Sequence, residues 1–147
     1  MTLTVPCLFG LESLVADEMR RLNLKDVRAE NGRVHCDGTL ADIARLNISL
    51  RCGARVLMEL GSFPARDFEA LFQGVYALPW EDFIPRDGEF PVKGYSLNSQ
   101  LHSVPACQAI VKKASARRLG EKYGLETLPE SGSRYQIQFS IIKDVAT

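Results

Sequence analysis

The chain has 147 residues, of which 46% are hydrophobic and 24% are charged, and these values are typical of a folded globular protein. This composition excludes a disordered or collagen-like chain, and no apolar run approaches the roughly 20 residues of a membrane-spanning helix. The formal net charge is zero, but the charges are unevenly distributed. Residues 61–90 carry six acidic and two basic side chains, whereas residues 91–147 carry eight basic and four acidic ones.

The first sixty residues alternate between extended and helical patterns. Asn31-Gly32 is a strong hairpin signal because both residues tolerate positive φ, and Thr39 with Asp42 has the spacing of a helix-capping box. The predicted elements are a strand over 2–7, a helix beginning at Leu11, strands over 26–30 and 33–36, a helix after Thr39 and a strand over 55–60. This β-α-β-β-α-β order predicts an α+β fold with a ferredoxin-like domain at residues 1–62.

Residues 63–147 are predicted to form a second α+β domain. Its predicted elements are a helix around Phe68–Val75, a helical turn at 79–83, a strand over 90–95, a helix capped by Ser103 with an apolar stripe at Cys107, Ile110, Val111 and Ala114, and a strand over 135–141. Lys143-Asp144 is a predicted tight turn, and Val145 begins a further strand. Because that strand is not completed by residue 147, we expect the chain to be a fragment of a longer polypeptide.

No motif of a catalytic or metal site is recognisable in the chain. It lacks the GxSxG, P-loop, GxGxxG and HExxH patterns. Its four cysteines and two histidines are scattered along the sequence, which favours reduced thiols. Because the N-terminus has no signal-peptide pattern, we expect a cytoplasmic location. The adjacent acidic pairs Asp17-Glu18 and Glu81-Asp82 indicate solvated surface charge, because neighbours diverge on a helix. We therefore expect no catalytic residue and no metal ligand here.

The most distinctive cluster is a set of basic residues around the long helix. Lys112 and Lys113 are expected to project outward, and cations along a helix are able to contact successive phosphates. Ser103 offers a hydroxyl group beside free backbone N–H groups. The alternative is a solvated face whose cations offset the helix dipole. The candidate nucleic-acid-binding residues are Lys93, Ser103, Lys112, Lys113, Arg117, Arg118 and Lys122.

Several motifs make the chain similar to a known family. They are Gly10-Leu11-Glu12, Asn31-Gly32-Arg33-Val34, the segments 50–57, 74–75, 78–81 and 90–94 and, most specifically, the block Ser103–Ala114. Across nearly its whole length the sequence resembles the bacterial THUMP-domain class I RNA methyltransferases of the 23S rRNA guanine-N2 type. Some members of that family are labelled N6-adenine-specific DNA methylases.

The resemblance implies both an architecture and a function. The family has a small ferredoxin-like domain followed by a THUMP domain of order α-α-β-α-β-β, here expected at residues 63–147 with its last strand truncated. It implies capture of structured RNA, rRNA in particular, for a following domain that transfers a methyl group from S-adenosylmethionine. That catalytic domain carries an Asn/Asp-Pro-Pro-Tyr motif and a Gly-rich loop, which this sequence lacks. We therefore expect no cofactor in this chain and a C-terminal methyltransferase domain as its partner.

A protein-interaction or self-association module without nucleic-acid contact is the alternative function. In that reading Phe68, Leu71, Phe72 and Trp80 are partly exposed in the absence of a catalytic domain, and the strand edge at 135–142 offers a pairing site. The acidic segment 61–90 would then pair with a basic patch. Salt-dependent RNA binding separates the two hypotheses, because only the first one neutralises phosphates.

Overall fold

The computed structural model describes all 147 residues, which form two compact units at residues 1–59 and 60–147. Each unit has its own hydrophobic core. None of its helices combines the length and the apolar character that a membrane span requires.

The first unit is a four-stranded antiparallel sheet with two helices. Its elements are β1 (Thr2–Pro6), α1 (Glu12–Arg21), β2 (Lys25–Glu30), β3 (Arg33–Asp37), α2 (Leu40–Ser49) and β4 (Leu57–Met58). The strand order is β2-β3-β1-β4, and every pair is antiparallel. This arrangement confirms the predicted ferredoxin-like fold.

Local signals place the turns and caps of the first unit where the sequence predicts them. Gly32 has a φ of +75° in the β2–β3 hairpin. The Thr39 side chain accepts a hydrogen bond from the backbone N–H of Asp42, whose carboxylate accepts one from Thr39 N at 2.9 Å. The strand predicted over 55–60 is shorter than expected. Gly53 forms an isolated bridge with Cys7, and Ala54 N donates to the carbonyl of Pro6 at 2.9 Å, but regular pairing with β1 is confined to β4.

The second unit is a mixed four-stranded sheet with two helices. Its elements are β5 (Phe63–Pro64), α3 (Phe68–Tyr76), a single 3₁₀ turn (Trp80–Asp82), β6 (Val92–Leu97), α4 (Val104–Tyr123), β7 (Ile137–Ile142) and β8 (Val145–Ala146). The strand order is β5-β8-β7-β6, and α4 connects the parallel strands β6 and β7. The two helices, the 3₁₀ turn and the later strands confirm the predicted pattern, whereas β5 was not predicted.

Two expectations for the interaction alternative hold only in part. Leu71 is fully buried and Trp80 is 6% exposed, because the indole Nε1 of Trp80 donates to the carbonyl of Val75 at 2.7 Å within the core. Phe68 is exposed and Phe72 is half-buried, so the expected partial exposure holds for these two residues. Strand β7 pairs with β6 along its whole length, whereas β8 pairs with only Ile141 and Ile142 on the other side, so the predicted edge is partly covered. The predicted Lys143-Asp144 turn does form, with positive φ at both residues.

Candidate nucleic-acid interface

Helix α4 is a long helix with one buried face. Pro105 lies in its first turn, where the missing N–H costs nothing, and Gly124 ends it in the left-handed conformation with a φ of +65°. Ser103 occupies the N-cap position, but its side chain makes no capping hydrogen bond. The residues of the buried face are Cys107, Val111, Ala114, Ser115 and Leu119. The predicted apolar stripe is therefore confirmed at its centre, and the cations lie on the remaining faces.

Lys112 is not the freely projecting cation that its position suggests. Its Nζ donates to both carboxylate oxygens of Glu130, at 2.8 and 2.7 Å, and to the carbonyl of Phe90 at 3.0 Å. The same Nζ lies 3.4 Å from the centroid of the Phe90 ring, a cation–π distance. Lys112 therefore joins α4 to the loop that carries Glu130 and to the segment before β6.

Arg118 and Lys122 share the carboxylate of Glu81 in the 3₁₀ turn. The guanidinium of Arg118 donates through Nε and Nη2, at 3.0 and 2.6 Å, and Lys122 Nζ lies 3.4 Å from Oε1. The hydrogen bonds from Arg118 lower the pKa of Glu81 from 4.5 to about 2. The acidic segment 61–90 thus neutralises part of the basic excess. The prediction that Glu81 is a solvated surface charge is wrong, because its carboxylate pairs with Arg118 and Lys122.

Arg117 belongs to a smaller and more exposed pair. Its Nε donates to Glu121 at 3.0 Å, one turn along the helix. The Glu121 carboxylate also accepts from the hydroxyl of Tyr76, which raises the pKa of that tyrosine. The Arg117 side chain keeps 63% of its surface exposed. Because exposed ion pairs contribute only about 0–1 kcal/mol, a phosphate is able to compete with Glu121 for this guanidinium.

Lys113 and Lys93 are the two candidate cations that form no ion pair. Lys113 is exposed on the outer face of α4. Lys93 is exposed on β6, where exposed positions alternate with half-buried ones. The structure therefore divides the seven predicted residues into a structural group, made of Lys112 and Arg118, and an accessible group. The accessible group comprises Lys93, Ser103, Lys113, Arg117 and Lys122.

A shallow groove of about 270 Å³ runs between α3 and α4. Lys113 and Arg117 form its cationic side, and Phe68 and Phe72 form part of its apolar side. Glu69 also lines the groove, but Gln73 donates a hydrogen bond to its carboxylate at 2.7 Å. A second depression of about 490 Å³ near the end of α4 is lined by three glutamates and one cation, Arg117, and its net negative charge disfavours phosphate. The first groove is the surface of α4 on which accessible cations and aromatic rings meet.

Sequence reasoning missed the carboxylates that hold the cations. Glu130 lies in a loop with a φ of +44°, 18 residues after Lys112, and Glu81 lies 37 residues before Arg118. Only for Glu81 did the sequence carry a signal, namely the separation of charge between residues 61–90 and 91–147, because Glu130 lies within the basic segment itself. That separation indicates pairing between the two segments, although it does not identify the partners.

No cluster in the structure is suited to a metal ion. No group of three or more His, Cys, Asp or Glu side chains comes together for that purpose. All four cysteines are free, and burial raises the pKa of the Cys107 thiol. Cys107 is therefore a core residue, as its place on the apolar stripe predicts.

Comparison with family models matches both units. The model of the RlmL ferredoxin-like domain matches residues 2–57, and the model of the THUMP domain matches residues 65–147. Among curated sequences, the "Putative RNA methyltransferase YpsC" of Bacillus subtilis is 39% identical over 147 residues, which are 99% of this chain and 38% of that protein. The "Ribosomal RNA large subunit methyltransferase K/L" of Pseudomonas aeruginosa is 32% identical over 122 residues, which are 83% of this chain and 17% of that protein.

A solved structure shares the same two-unit architecture. It is described as "SMU.472, a putative methyltransferase complexed with SAH" and is 42% identical, with a TM-score of 0.93 over 99% of this chain and 39% of that one. The chain thus spans less than two fifths of the length of each of these relatives.

Proposed function

The chain belongs to the THUMP domain family, with an RlmL ferredoxin-like domain before its THUMP domain, and we propose that it is the RNA-binding part of an RNA methyltransferase. The observation that carries the proposal is the continuous match of both units to relatives named as RNA methyltransferases. In this function the chain captures structured RNA and presents it to a methyltransferase domain of the same polypeptide. The chain itself performs no chemistry.

The accessible cations of α4 support RNA binding at the groove between α3 and α4. Lys113 is unpaired, and the partner of Arg117 is an exposed carboxylate that phosphate is able to replace. Each phosphate contact of this kind releases counterions and adds a salt-dependent increment to affinity. Lys112 and Arg118 contribute indirectly, because they fix the position of the helix.

The finer substrate assignment is 23S rRNA, with methyl transfer to N2 of guanine. The name of the Pseudomonas aeruginosa relative supports the ribosomal substrate, and the SAH in the structure of SMU.472 supports S-adenosylmethionine as the methyl donor of the complete enzyme. We expect the methyltransferase domain to bind both the methyl donor and the target nucleotide.

A competition experiment tests the RNA class. A fluorescent 23S rRNA hairpin bound to the chain is displaced by unlabelled rRNA hairpin, tRNA or duplex DNA, each at the same nucleotide concentration. We expect the rRNA hairpin to compete best and duplex DNA to compete least. Stronger competition by duplex DNA would refute RNA recognition, and stronger competition by tRNA would refute the ribosomal assignment alone.

The guanine-N2 assignment needs the longer polypeptide. After incubation with rRNA and S-adenosylmethionine, mass spectrometry of the digested RNA identifies the methylated nucleoside. We expect N2-methylguanosine, whereas N6-methyladenosine would overturn the finer assignment and leave the RNA-binding function intact.

A further inference from the structure

The loop between β1 and α1 displays two large apolar side chains to solvent. Leu8 is 76% exposed and Phe9 is 82% exposed. They are adjacent in sequence, and neither belongs to the hydrophobic core of this unit. An aromatic ring held this far outside a core is available as a platform for a flat partner.

This loop is anchored at several points. The carboxylate of Glu12 accepts hydrogen bonds from the backbone N–H groups of Gly10, at 2.8 Å, and of Gly32, at 2.9 Å. Cys7 N donates to the carbonyl of Gly32 at 2.9 Å. The Phe9 ring lies over Gly32, so that a Cβ at that glycine would meet the ring at 3.5 Å. The backbone that carries Phe9 is therefore anchored before any partner binds, which lowers the entropic cost of binding.

Two arginines without ion-pair partners flank the same end of the sheet. Gly53 bridges to Cys7, and Ala54 N donates to the carbonyl of Pro6 at 2.9 Å. This places the segment 51–55 beside the end of β1 from which the Phe9 loop departs. Its two charged side chains, Arg51 and Arg55, are exposed and form no salt bridge.

The nearby carboxylates of α1 are already occupied by backbone groups. Glu12 binds the two glycine N–H groups described above, and those hydrogen bonds lower its pKa. Glu18 accepts from the backbone N–H groups of Arg51 and Cys52, at 3.1 and 3.3 Å. Because these acids bind backbone groups, the two guanidinium groups are left for an anionic partner.

An exposed aromatic ring beside unpaired arginines is the combination that binds single-stranded nucleic acid, since the ring stacks with a base and the cations contact phosphates. We propose that Phe9, Arg51 and Arg55 form a second RNA contact, in which Phe9 stacks with an unpaired base and the arginines bind the adjacent phosphates. The inference rests on the proposed function and assigns unpaired nucleotides to the ferredoxin-like unit. The unpaired arginines favour this ligand over an apolar protein surface.

A tryptophan reporter tests the contact directly. The one native tryptophan, Trp80, is buried and gives a constant background. The Phe9→Trp variant is titrated with an RNA hairpin that carries a single-stranded extension and with the same hairpin without it. Ile48→Trp, at an 86% exposed position on α2, is the matched control. We expect saturable quenching of Phe9→Trp by the extended hairpin, and no quenching of Ile48→Trp by either RNA.

Affinity measurements complete the test. Phe9→Ala should weaken binding of the extended hairpin by about tenfold, and Phe9→Tyr should restore it, because stacking needs only the ring. Arg51→Ala with Arg55→Ala should reduce the salt slope for single-stranded contacts by about 1.4. All of these side chains are exposed, so the thermal unfolding temperature should not change.

Three results would overturn this inference. The stacking site would be excluded by equal quenching of the two tryptophan variants, or by unchanged affinity of Phe9→Ala for the extended hairpin. It would also be excluded if Phe9→Ala lost self-association instead of RNA affinity. If Lys113→Ala weakens RNA binding while Phe9→Ala does not, the proposed function stands and this site falls. If the wild-type chain binds neither hairpin, both fall.

Discussion

Adjacent lysines on α4 have opposite roles in this account, and the pair provides a matched experiment. The substitutions are Lys112→Met and Lys113→Met, which remove the same charge and keep a side chain of similar length. Lys112→Met removes three hydrogen bonds, one ion pair and a cation–π contact with Phe90. Lys113→Met removes no hydrogen bond or ion pair with the protein.

The expected magnitudes follow from these contacts. The Lys112 side chain is 36% exposed, so its ion pair is partly screened. We therefore expect Lys112→Met to lower the free energy of unfolding by about 1–2 kcal/mol, while Lys113→Met should change it by less than about 0.5 kcal/mol. For RNA binding we expect the opposite order, with the larger effect from the Lys113 substitution. Lys113→Met should reduce the slope of log affinity against log salt by about 0.9, the value for one phosphate of a duplex.

Both quantities are measurable on the same protein samples. Urea unfolding followed by Trp80 fluorescence gives the free energy of unfolding, because Trp80 lies in the core of the unit that contains α4. Fluorescence anisotropy with a labelled rRNA hairpin, between 50 and 200 mM salt, gives the slope. Equal loss of RNA affinity in the two variants, with unchanged stability in both, would refute the division between structural and accessible cations.

Three further substitutions test the fold by urea unfolding. Thr39→Ala should cost about 1 kcal/mol because it removes the capping box of α2, and no change would contradict that cap. Gly94→Ala should cost about 3 kcal/mol, since its Cβ would lie 2.2 Å from the carbonyl oxygen of Phe139; a neutral effect would contradict the close pairing of β6 and β7. Glu81→Gln should cost about 1–2 kcal/mol at pH 7. The lowered pKa of Glu81 stabilises the fold above pH 4.5, and this contribution disappears as the pH falls through about 2, so a pH-independent difference would exclude the pairing with Arg118.

The parts of the fold that were predicted correctly depend on local chemistry. The Asn31-Gly32 hairpin, the Thr39 cap and the Lys143-Asp144 turn each involve residues within four positions of one another, so the sequence contains the whole signal. The strand order of the first unit follows from the same local elements, because a β-α-β-β-α-β chain has few ways to cover one sheet face.

The parts that were missed depend on contacts between distant residues. Strand β5 has only two residues, and it exists because Phe63 and Pro64 pair with β8 more than 80 positions later. The periodicity of α4 places Lys112 and Lys113 outside the core, but it does not reveal that Glu130 reaches back to one of them. Helical spacing therefore predicts which side chains leave the core, whereas the structure is needed to show which of them remain available to RNA.

The decisive measurement for RNA capture is the salt dependence of RNA binding by residues 1–147. The measurement is the dissociation constant for an rRNA hairpin at several salt concentrations. With two to four accessible cations on phosphates, the account predicts a linear log–log plot with a slope of about −2 to −4. Absence of binding at 50 mM salt, or an affinity that does not change with salt, would contradict it.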